Sequence, residues 1–141
     1  MVYKLTMQVV NAVMPTPDVI VDFFAAPDDG PFVMVNLLRF RPSAEYADGS
    51  DADLTGREAY DRYSVGVRAL IEALGGRVVY SGAVTGLLLG DVEDLWDAVG
   101  LVEYPSHDAF RQMMMSPEMR QIEHHRLAGL AGQLNIRTKP G

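Results

Sequence analysis

Asn36 is the most informative candidate for chemistry in this sequence. It is a polar amide within the apolar run from Phe32 to Phe40, in which both alternating sets of residues are otherwise largely apolar. Such a run predicts a central strand that is covered on both faces. A buried amide needs partners, because an unpaired one costs about 1–3 kcal/mol. Asn36 is therefore expected either to line a pocket between sheet and helices or to satisfy a backbone group at a dimer interface.

Glu103 is a second candidate, near the end of the run from Trp96 to Tyr104. It lies on the side of that predicted strand that also carries Val99 and Leu101. A carboxylate in such apolar surroundings is suited to act as a general base. The alternative is a structural ion pair with an arginine, for which Arg39 and Arg77 are the candidates.

The late helix carries a cluster of residues that can move protons or bind anions, Glu123 to Arg126. His124 and His125 are adjacent, so their side chains point about 100° apart and make a poor metal clamp. We therefore predict no metal site, and treat His124 as a candidate general acid or base and Arg126 as a candidate anion-binding residue. A solvent-exposed histidine near the helix end is the alternative.

Two tyrosines complete the candidate ligand-binding set. Tyr63 lies in the apolar stripe of the first long helix, where a buried hydroxyl needs a partner, and Asn36 is a candidate for that partner. Tyr46 lies in a polar loop over residues 42–56, which is long enough to act as a lid. Plain packing is the alternative for both.

The elements that must position these residues follow from apolar periodicity and from helix caps. Thr55 and Glu58 form a capping box at the start of the first long helix. Ser116 and Pro117 predict that the late helix stops and restarts. The predicted segments are a short helix from residue 17, a strand over 32–40, a helix over 56–74, strands over 77–89 and 96–104, a broken helix over 106–130 and a strand over 133–138.

This order, β-α-β-β-α-β after a helical arm, is typical of a ferredoxin-like α+β fold with a four-stranded antiparallel sheet. We treat residues 1–141 as a single domain, with an N-terminal helical arm over 1–30 and the core over 31–138. The two helices cover one face of the sheet, yet the strands are apolar on both faces. An exposed apolar face of that size predicts a homodimer; the alternative is that the arm folds over it.

Net charge and composition disfavour several classes of partner and site. The net charge is −7, from 19 acidic and 12 basic residues, which disfavours nucleic acid and anionic membranes as partners. No apolar run reaches the length of a membrane span. Cysteine is absent, which removes thiolate chemistry and disulfides and fits a cytoplasmic protein.

Several stretches are similar to the bacterial family known as domain of unknown function 1330, within the dimeric α+β barrel superfamily. They are FVMVNLLRFRPSAEY, GREAYDRYS, GGRVVYSGAVTGLLLG, WDAVGLVEYPSHDAF and SPEMRQIEHHRLAGL, and the resemblance as a whole extends from about residue 31 to the C-terminus. The resemblance implies the ferredoxin-like fold and a homodimer, and it brings no established activity.

The superfamily resemblance also bears on cofactors. Heme-degrading members rely on an asparagine of the first strand and on a tryptophan and a histidine of the late helix. Asn36 matches the first, but Met113 and Glu123 occupy the other two positions. The resemblance therefore does not support heme chemistry, and we predict no cofactor.

Two hypotheses about function remain at this point. The first is a homodimeric small-molecule-binding protein, extending to a cofactor-independent enzyme for oxygenation, isomerisation or proton abstraction, with Asn36, Tyr63, Glu103 and Arg126 around one pocket. The second is a non-catalytic homodimeric ligand-binding or interaction module, in which these groups are structural. A pocket on which they converge favours the first, and complete internal hydrogen bonding favours the second.

Overall fold

A computed structural model describes residues 8–141. The part of the predicted N-terminal arm over residues 1–7 lies outside them. The strands are β1 (Phe32–Phe40), β2 (Arg77–Ala83), β3 (Ala98–Tyr104) and β4 (Leu130–Thr138), and the helices are α1 (Pro17–Ala25), α2 (Gly56–Ala73), α3 (His107–Met114) and α4 (Pro117–Gly129). The strands form one antiparallel sheet in the order β2-β3-β1-β4. This confirms the predicted ferredoxin-like α+β fold.

The helix boundaries follow the caps read from the sequence. The Thr55 side chain accepts from the backbone N–H of Glu58, and the Glu58 carboxylate accepts from the backbone N–H of Thr55, which closes the predicted capping box of α2. Ser116 caps α4 through the backbone N–H of Met119. The late helix is therefore two helices, α3 and α4, as the Ser116-Pro117 pair predicts.

The predicted strands over 77–89 and 96–104 are too long. Strand β2 ends at Ala83 and β3 begins at Ala98, so a loop joins them. The end of this loop is tied to β1, because the backbone N–H of Asp97 donates to the carbonyl of Leu38 at 2.7 Å. Its backbone groups therefore have partners other than a hairpin ladder. The glycines Gly82 and Gly86 favour a bulge or bend in this segment, but the register of β2 shifts between Val78 and Tyr80.

The core lies between the sheet and the helices. Its buried residues are Phe32, Met34, Tyr63, Ile71, Tyr104, Met113 and Met119. Helix α1 packs at one end of this same layer, where the ring of Phe23 lies 6.1 Å from Phe32 and 5.8 Å from Phe110. The alternative in which this helix covers the opposite sheet face is therefore wrong.

The opposite face of the sheet carries an apolar surface that α1 to α4 leave uncovered. Successive residues of a strand point to opposite faces, so this face carries the partners in register Val35 with Leu101 and Ile136, and Leu37 with Val99 and Leu134. These side chains are half-buried or, for Ile136, 46% exposed. We call this surface the bare face.

The segment before α1 is not purely helical. Ala12 forms an antiparallel bridge with Gln133 of the edge strand β4, and the indole Nε1–H of Trp96 donates to the Asn11 side chain at 2.7 Å. Of the helices within residues 8–141, none has the length and hydrophobicity needed to traverse a membrane.

Candidate functional site

A cluster of polar side chains interrupts the apolar layer between the sheet and α4. Asn36 of β1 and Asn135 of β4 are partners in register, and Gln133 lies two residues before Asn135 on the same face. Helix α4 contributes Glu123 and Arg126, whose side chains are only 25% and 13% exposed. We call these five residues the polar cluster.

Hydrogen bonds fix the orientation of the amides in the polar cluster. Arg126 donates to the Gln133 side-chain oxygen at 2.8 Å, which directs the Gln133 amide nitrogen away from the guanidinium. That nitrogen donates to the Asn36 oxygen at 3.1 Å and to the Asn135 oxygen at 2.6 Å. The Asn36 nitrogen in turn donates to the carbonyl of Gly100 at 3.2 Å. Asn36 is thus satisfied within the chain, on the helix side of the sheet.

Glu123 is the member of the polar cluster whose side chain has an unpaired hydrogen-bond acceptor within residues 8–141. Its Oε1 accepts from Arg126 at 2.9 Å. Its Oε2 is shielded from solvent and accepts no hydrogen bond from any residue in 8–141. A shielded carboxylate oxygen without a donor is costly, because it has lost its water without gaining a partner. Within residues 8–141 this oxygen therefore keeps an unused capacity to accept a hydrogen bond.

Two tyrosines of α2 lie beside the Glu123–Arg126 pair. Burial raises the pKa of Tyr60 to about 12, with opposing smaller effects from Arg126 and Glu123. Burial likewise raises the pKa of Tyr63 well above its usual range. Both phenols therefore stay protonated near neutral pH, and each hydroxyl can donate a hydrogen bond. The Tyr63 hydroxyl points to the Met119 sulfur at 3.9 Å, so the expected contact between Tyr63 and Asn36 is wrong.

Gly100 leaves space on the sheet next to Asn36. It is the register partner of Asn36 on β3, so both face the helices. A Cβ added at Gly100 would meet no atom within 4 Å, whereas one at Gly129 would lie 2.5 Å from the carbonyl oxygen of Gly56. The sheet is therefore loosely covered beside the polar cluster and tightly packed where α2 and α4 meet.

Glu103 does not join Asn36. It lies on the bare face and pairs with Arg77 at 3.3 Å. The structural alternative for Glu103 is therefore the one observed, and the expected pocket with Asn36 and Glu103 on one side of the sheet is wrong. Arg39, the other candidate partner, pairs with Asp94 at 2.7 Å.

The histidines occupy the other side of α4. His124 is exposed, which agrees with the alternative of a solvent-exposed histidine near the helix end. His125 is half-buried, and its Nδ1 lies 2.7 Å from the hydroxyl of Tyr46. The centres of the two imidazole rings lie 3.9 Å apart, and the ring planes are tilted by 37°. The structure thus brings Tyr46 to the histidines, away from Asn36.

The loop over residues 42–56 is anchored and does not hang over the polar cluster as a lid. The backbone N–H of Ala44 donates to the carbonyl of Leu54, and that of Glu45 donates to the carbonyl of Ala128. The side chain of Ala44 is buried against Ala59 and Ala128. Arg62 of α2 adds an ion pair with Asp51 at 2.9 Å.

Two open clefts mark the surface, of about 330 and 430 Å³. The first lies between residues 8–11 and the loop over 91–96, and the second between α2 and the α3–α4 break. Neither is lined by a residue of the polar cluster. Within residues 8–141, no three histidine, aspartate or glutamate side chains are grouped as metal ligands.

Sequence reasoning found Asn36 and Arg126 and missed Glu123, Gln133 and Asn135 as partners. One signal was present in the sequence. Gln133 and Asn135 are two polar residues at alternating positions of a strand, so they share a face. The sequence alone does not show that this face of β4 packs against the side of α4 that carries Glu123 and Arg126.

The comparisons with known proteins agree with this fold. The family described as "Domain of unknown function (DUF1330)" matches residues 49–137. The RPA0582 protein of unknown function from Rhodopseudomonas palustris is 38% identical over 94% of this chain and 98% of its own, with a TM-score of 0.84. Its methylated form, also 38% identical, has a TM-score of 0.86 over 94% and 97%.

More distant structures show the fold alone. A dimeric ferredoxin-like protein of unknown function from Thermobifida fusca is 15% identical, with a TM-score of 0.50 over 79% of this chain and 92% of its own. No curated protein gives a significant match.

Proposed function

The chain belongs to the DUF1330 family, and with that as the starting point we propose that it is a cytoplasmic, homodimeric small-molecule-binding protein. Its ligand occupies the polar cluster between the sheet and α4. The observation that carries this proposal is the shielded oxygen Oε2 of Glu123, which lacks a donor within residues 8–141.

The bare face supports the homodimer. A contiguous apolar surface on three neighbouring strands is unusual on a monomer, and α1 packs elsewhere. A two-fold pairing buries the same surface of both copies and needs no second kind of chain. Sedimentation at micromolar concentration should give a species of twice 15.5 kDa. A stable species of 15.5 kDa would remove the dimer from the proposal.

The chemistry of the polar cluster defines the class of ligand. Oε2 of Glu123 accepts, so the ligand presents a hydroxyl or amine group to it. The protonated phenol of Tyr60 and the amide of Asn135 are donors for a carbonyl or carboxylate on the same ligand. Asn36 and Gln133 are positioning residues, because their hydrogen bonds hold the cluster in one orientation.

A reaction is the second part of the proposal to test. Oε2 of Glu123 is the group that would receive a proton from the ligand, so proton abstraction or isomerisation is the reaction class this geometry favours. Oxygenation has no comparable support among the contacts. In the non-catalytic alternative the ligand is bound and released unchanged.

A thermal-shift screen against hydroxy and amino acids and related carbonyl compounds tests the site. A ligand of the polar cluster raises the melting temperature of the parent by mass action. Glu123→Gln places a donor where the ligand needs an acceptor, so the shift should be lost. Glu72→Gln, at an exposed glutamate of α2, is the matched control and should keep it. A shift that survives Glu123→Gln would place the ligand elsewhere.

Incubating each hit with the protein in deuterated water separates binding from catalysis. Deuterium uptake at carbon that is lost in Glu123→Gln identifies proton abstraction. Binding without any change in mass identifies the non-catalytic alternative.

A further inference from the structure

The loop between β2 and β3 carries three consecutive leucines that the described chain leaves uncovered. Leu87, Leu88 and Leu89 are 48%, 102% and 88% exposed, and Gly86 and Gly90 flank them. We call residues 86–90 the leucine loop. Single exposed leucines are common on protein surfaces, but three in a row make an apolar patch of the kind that contacts a partner.

The base of the leucine loop is fixed. The backbone N–H of Val84 donates to the carbonyl of Asp97 at 2.9 Å, and the Asp97 carboxylate accepts from the backbone N–H of Phe40 at 2.8 Å. Arg39 ties the far side of the loop by donating to the carbonyl of Leu95 at 2.6 Å and by pairing with Asp94. The three leucines are therefore held away from the body of the chain by an ordered base.

The leucine loop follows a strand that carries apolar surface on its bare-face side. It leaves the sheet at the end of β2, and the last residues of β2 include Tyr80, which is 55% exposed and lies against Gly82 on the bare-face side. Tyr80 is the register partner of Leu101, so the loop begins a few residues beyond an exposed aromatic side chain of the bare face. The base of the loop contacts β1 next to this face, at Arg39.

We infer that the leucine loop of each copy packs against the bare-face edge of the other copy. This inference rests on the homodimer of the proposed function. Burying three exposed leucines removes on the order of 200 Å² of apolar surface per copy, about a quarter of the roughly 800 Å² per partner in a standard interface. In a two-fold dimer the loop of each copy makes this contact with the other copy, so the contact and its buried apolar area occur twice.

Cross-linking from the leucine loop tests the contact directly. The chain has no cysteine, so Leu88→Cys gives a single site for benzophenone maleimide. Val65→Cys is the matched control, because Val65 is 77% exposed on α2, in the layer away from the bare face. Irradiation should give a covalent dimer from Leu88→Cys and not from Val65→Cys.

Mixing nitrogen-15 and unlabelled protein then separates contacts between copies from contacts within one copy. The cross-linked peptides should join residue 88 of one copy to β1, β3 or β4 of the other. Equal dimer yields from both positions, or cross-links from residue 88 only to its own chain, would overturn the inference.

Dissociation measurements separate failure of the loop contact from failure of the dimer. Replacing Leu87, Leu88 and Leu89 together by serine should raise the dimer dissociation constant at least about tenfold, whereas Val65→Ser should leave it within about twofold. These positions are exposed, so the variants keep the fold. A dimeric parent with an unaltered constant in the triple variant would contradict the loop contact alone; a monomeric parent would contradict both proposals.

Discussion

The side-chain nitrogen of Gln133 lies 3.1 Å from the side-chain oxygen of Asn36, so an amide of the edge strand β4 is bonded to an amide of the central strand β1 beneath α4. Arg126 holds the other end of Gln133 at 2.8 Å. This pair of contacts joins helix and sheet by polar groups where apolar packing would be the simpler solution. A polar network of this kind specifies one arrangement when every member has its partner.

Asn36→Ala should lower the free energy of unfolding by about 1–3 kcal/mol, because it leaves part of the buried Gln133 amide unpaired. Urea denaturation at a fixed protein concentration measures the change. Asn135→Ala is the matched control, since Asn135 is exposed and Gln133 keeps its bond to Asn36. We expect the control to stay within about 0.5 kcal/mol of the parent. Equal losses in the two variants would show that the amide pair has no special role.

The contact between α2 and α4 depends on two glycines. A Cβ at Gly129 would lie 2.5 Å from the carbonyl oxygen of Gly56 and 2.8 Å from the backbone nitrogen of Tyr60. Backbone atoms cannot move aside as a side chain can, so Gly129→Ala should lower the free energy of unfolding by about 3 kcal/mol or more. Thermal and urea unfolding of the purified variant measure the loss.

Gly100→Ala is the comparison for that variant. Nothing lies within 4 Å of its added methyl group, and alanine restricts the unfolded chain more than glycine does. The variant should therefore be as stable as the parent or more stable by up to about 1 kcal/mol. A large loss of stability in Gly100→Ala would contradict the open space beside the polar cluster.

The fold could be predicted from the sequence because its strongest signals are local. The run from Phe32 to Phe40 is apolar on both faces, and strand β1 has those bounds. Thr55 and Glu58 mark the start of α2 by the bonds they form. The ends of β2 and β3 could not be predicted, because the apolar residues 84–89 look like a strand and only the tertiary contacts of Asp97 and Leu95 decide otherwise.

The candidate site was predicted in part for a related reason. Asn36 stands out because it breaks an apolar pattern in its own strand. Glu123 and Gln133 do not stand out, since polar residues are ordinary on a helix surface and on an edge strand. Their role depends on which side of α4 faces β4. That orientation is decided by packing between residues that are far apart in the sequence.

Asp28 should stabilise the start of α3 although it lies 79 residues earlier in the sequence. Its two carboxylate oxygens accept from the backbone N–H groups of His107 at 2.9 Å and Asp108 at 3.2 Å. Negative charge at a helix start is also favoured by the helix dipole. Asp28→Ala should therefore lower the free energy of unfolding by about 1 kcal/mol, the usual effect of losing a cap.

Asp28→Asn keeps one acceptor oxygen, so its loss of stability should be smaller than that of Asp28→Ala. Asp29→Ala is the neighbouring control, because Asp29 contacts only the exposed Lys139 among its side-chain partners in residues 8–141. Hydrogen exchange at the amides of His107 and Asp108 localises the effect. If these amides exchange no faster in Asp28→Ala, the carboxylate does not cap the helix.

The pair of Tyr46 and His125 should make stability fall as the solution is acidified. Burial lowers the pKa of His125 below 6.5, and the neighbouring His124 and Arg62 lower it further, against a smaller opposing effect of Asp51. As pH falls through 6.5, the unfolded chain binds a proton at this position before the folded chain does, so folding loses free energy until the lower, folded-state pKa is passed. Below that pH the contribution of His125 is constant.

Unfolding midpoints in urea from pH 8 to pH 5 should therefore decline more in the parent than in His125→Gln, which cannot titrate and retains an acceptor for the Tyr46 hydroxyl. His124→Gln removes one of the effects that lower the pKa of His125, so its midpoints should decline less than those of the parent and more than those of His125→Gln. Parallel curves for the parent and His125→Gln would contradict the lowered pKa.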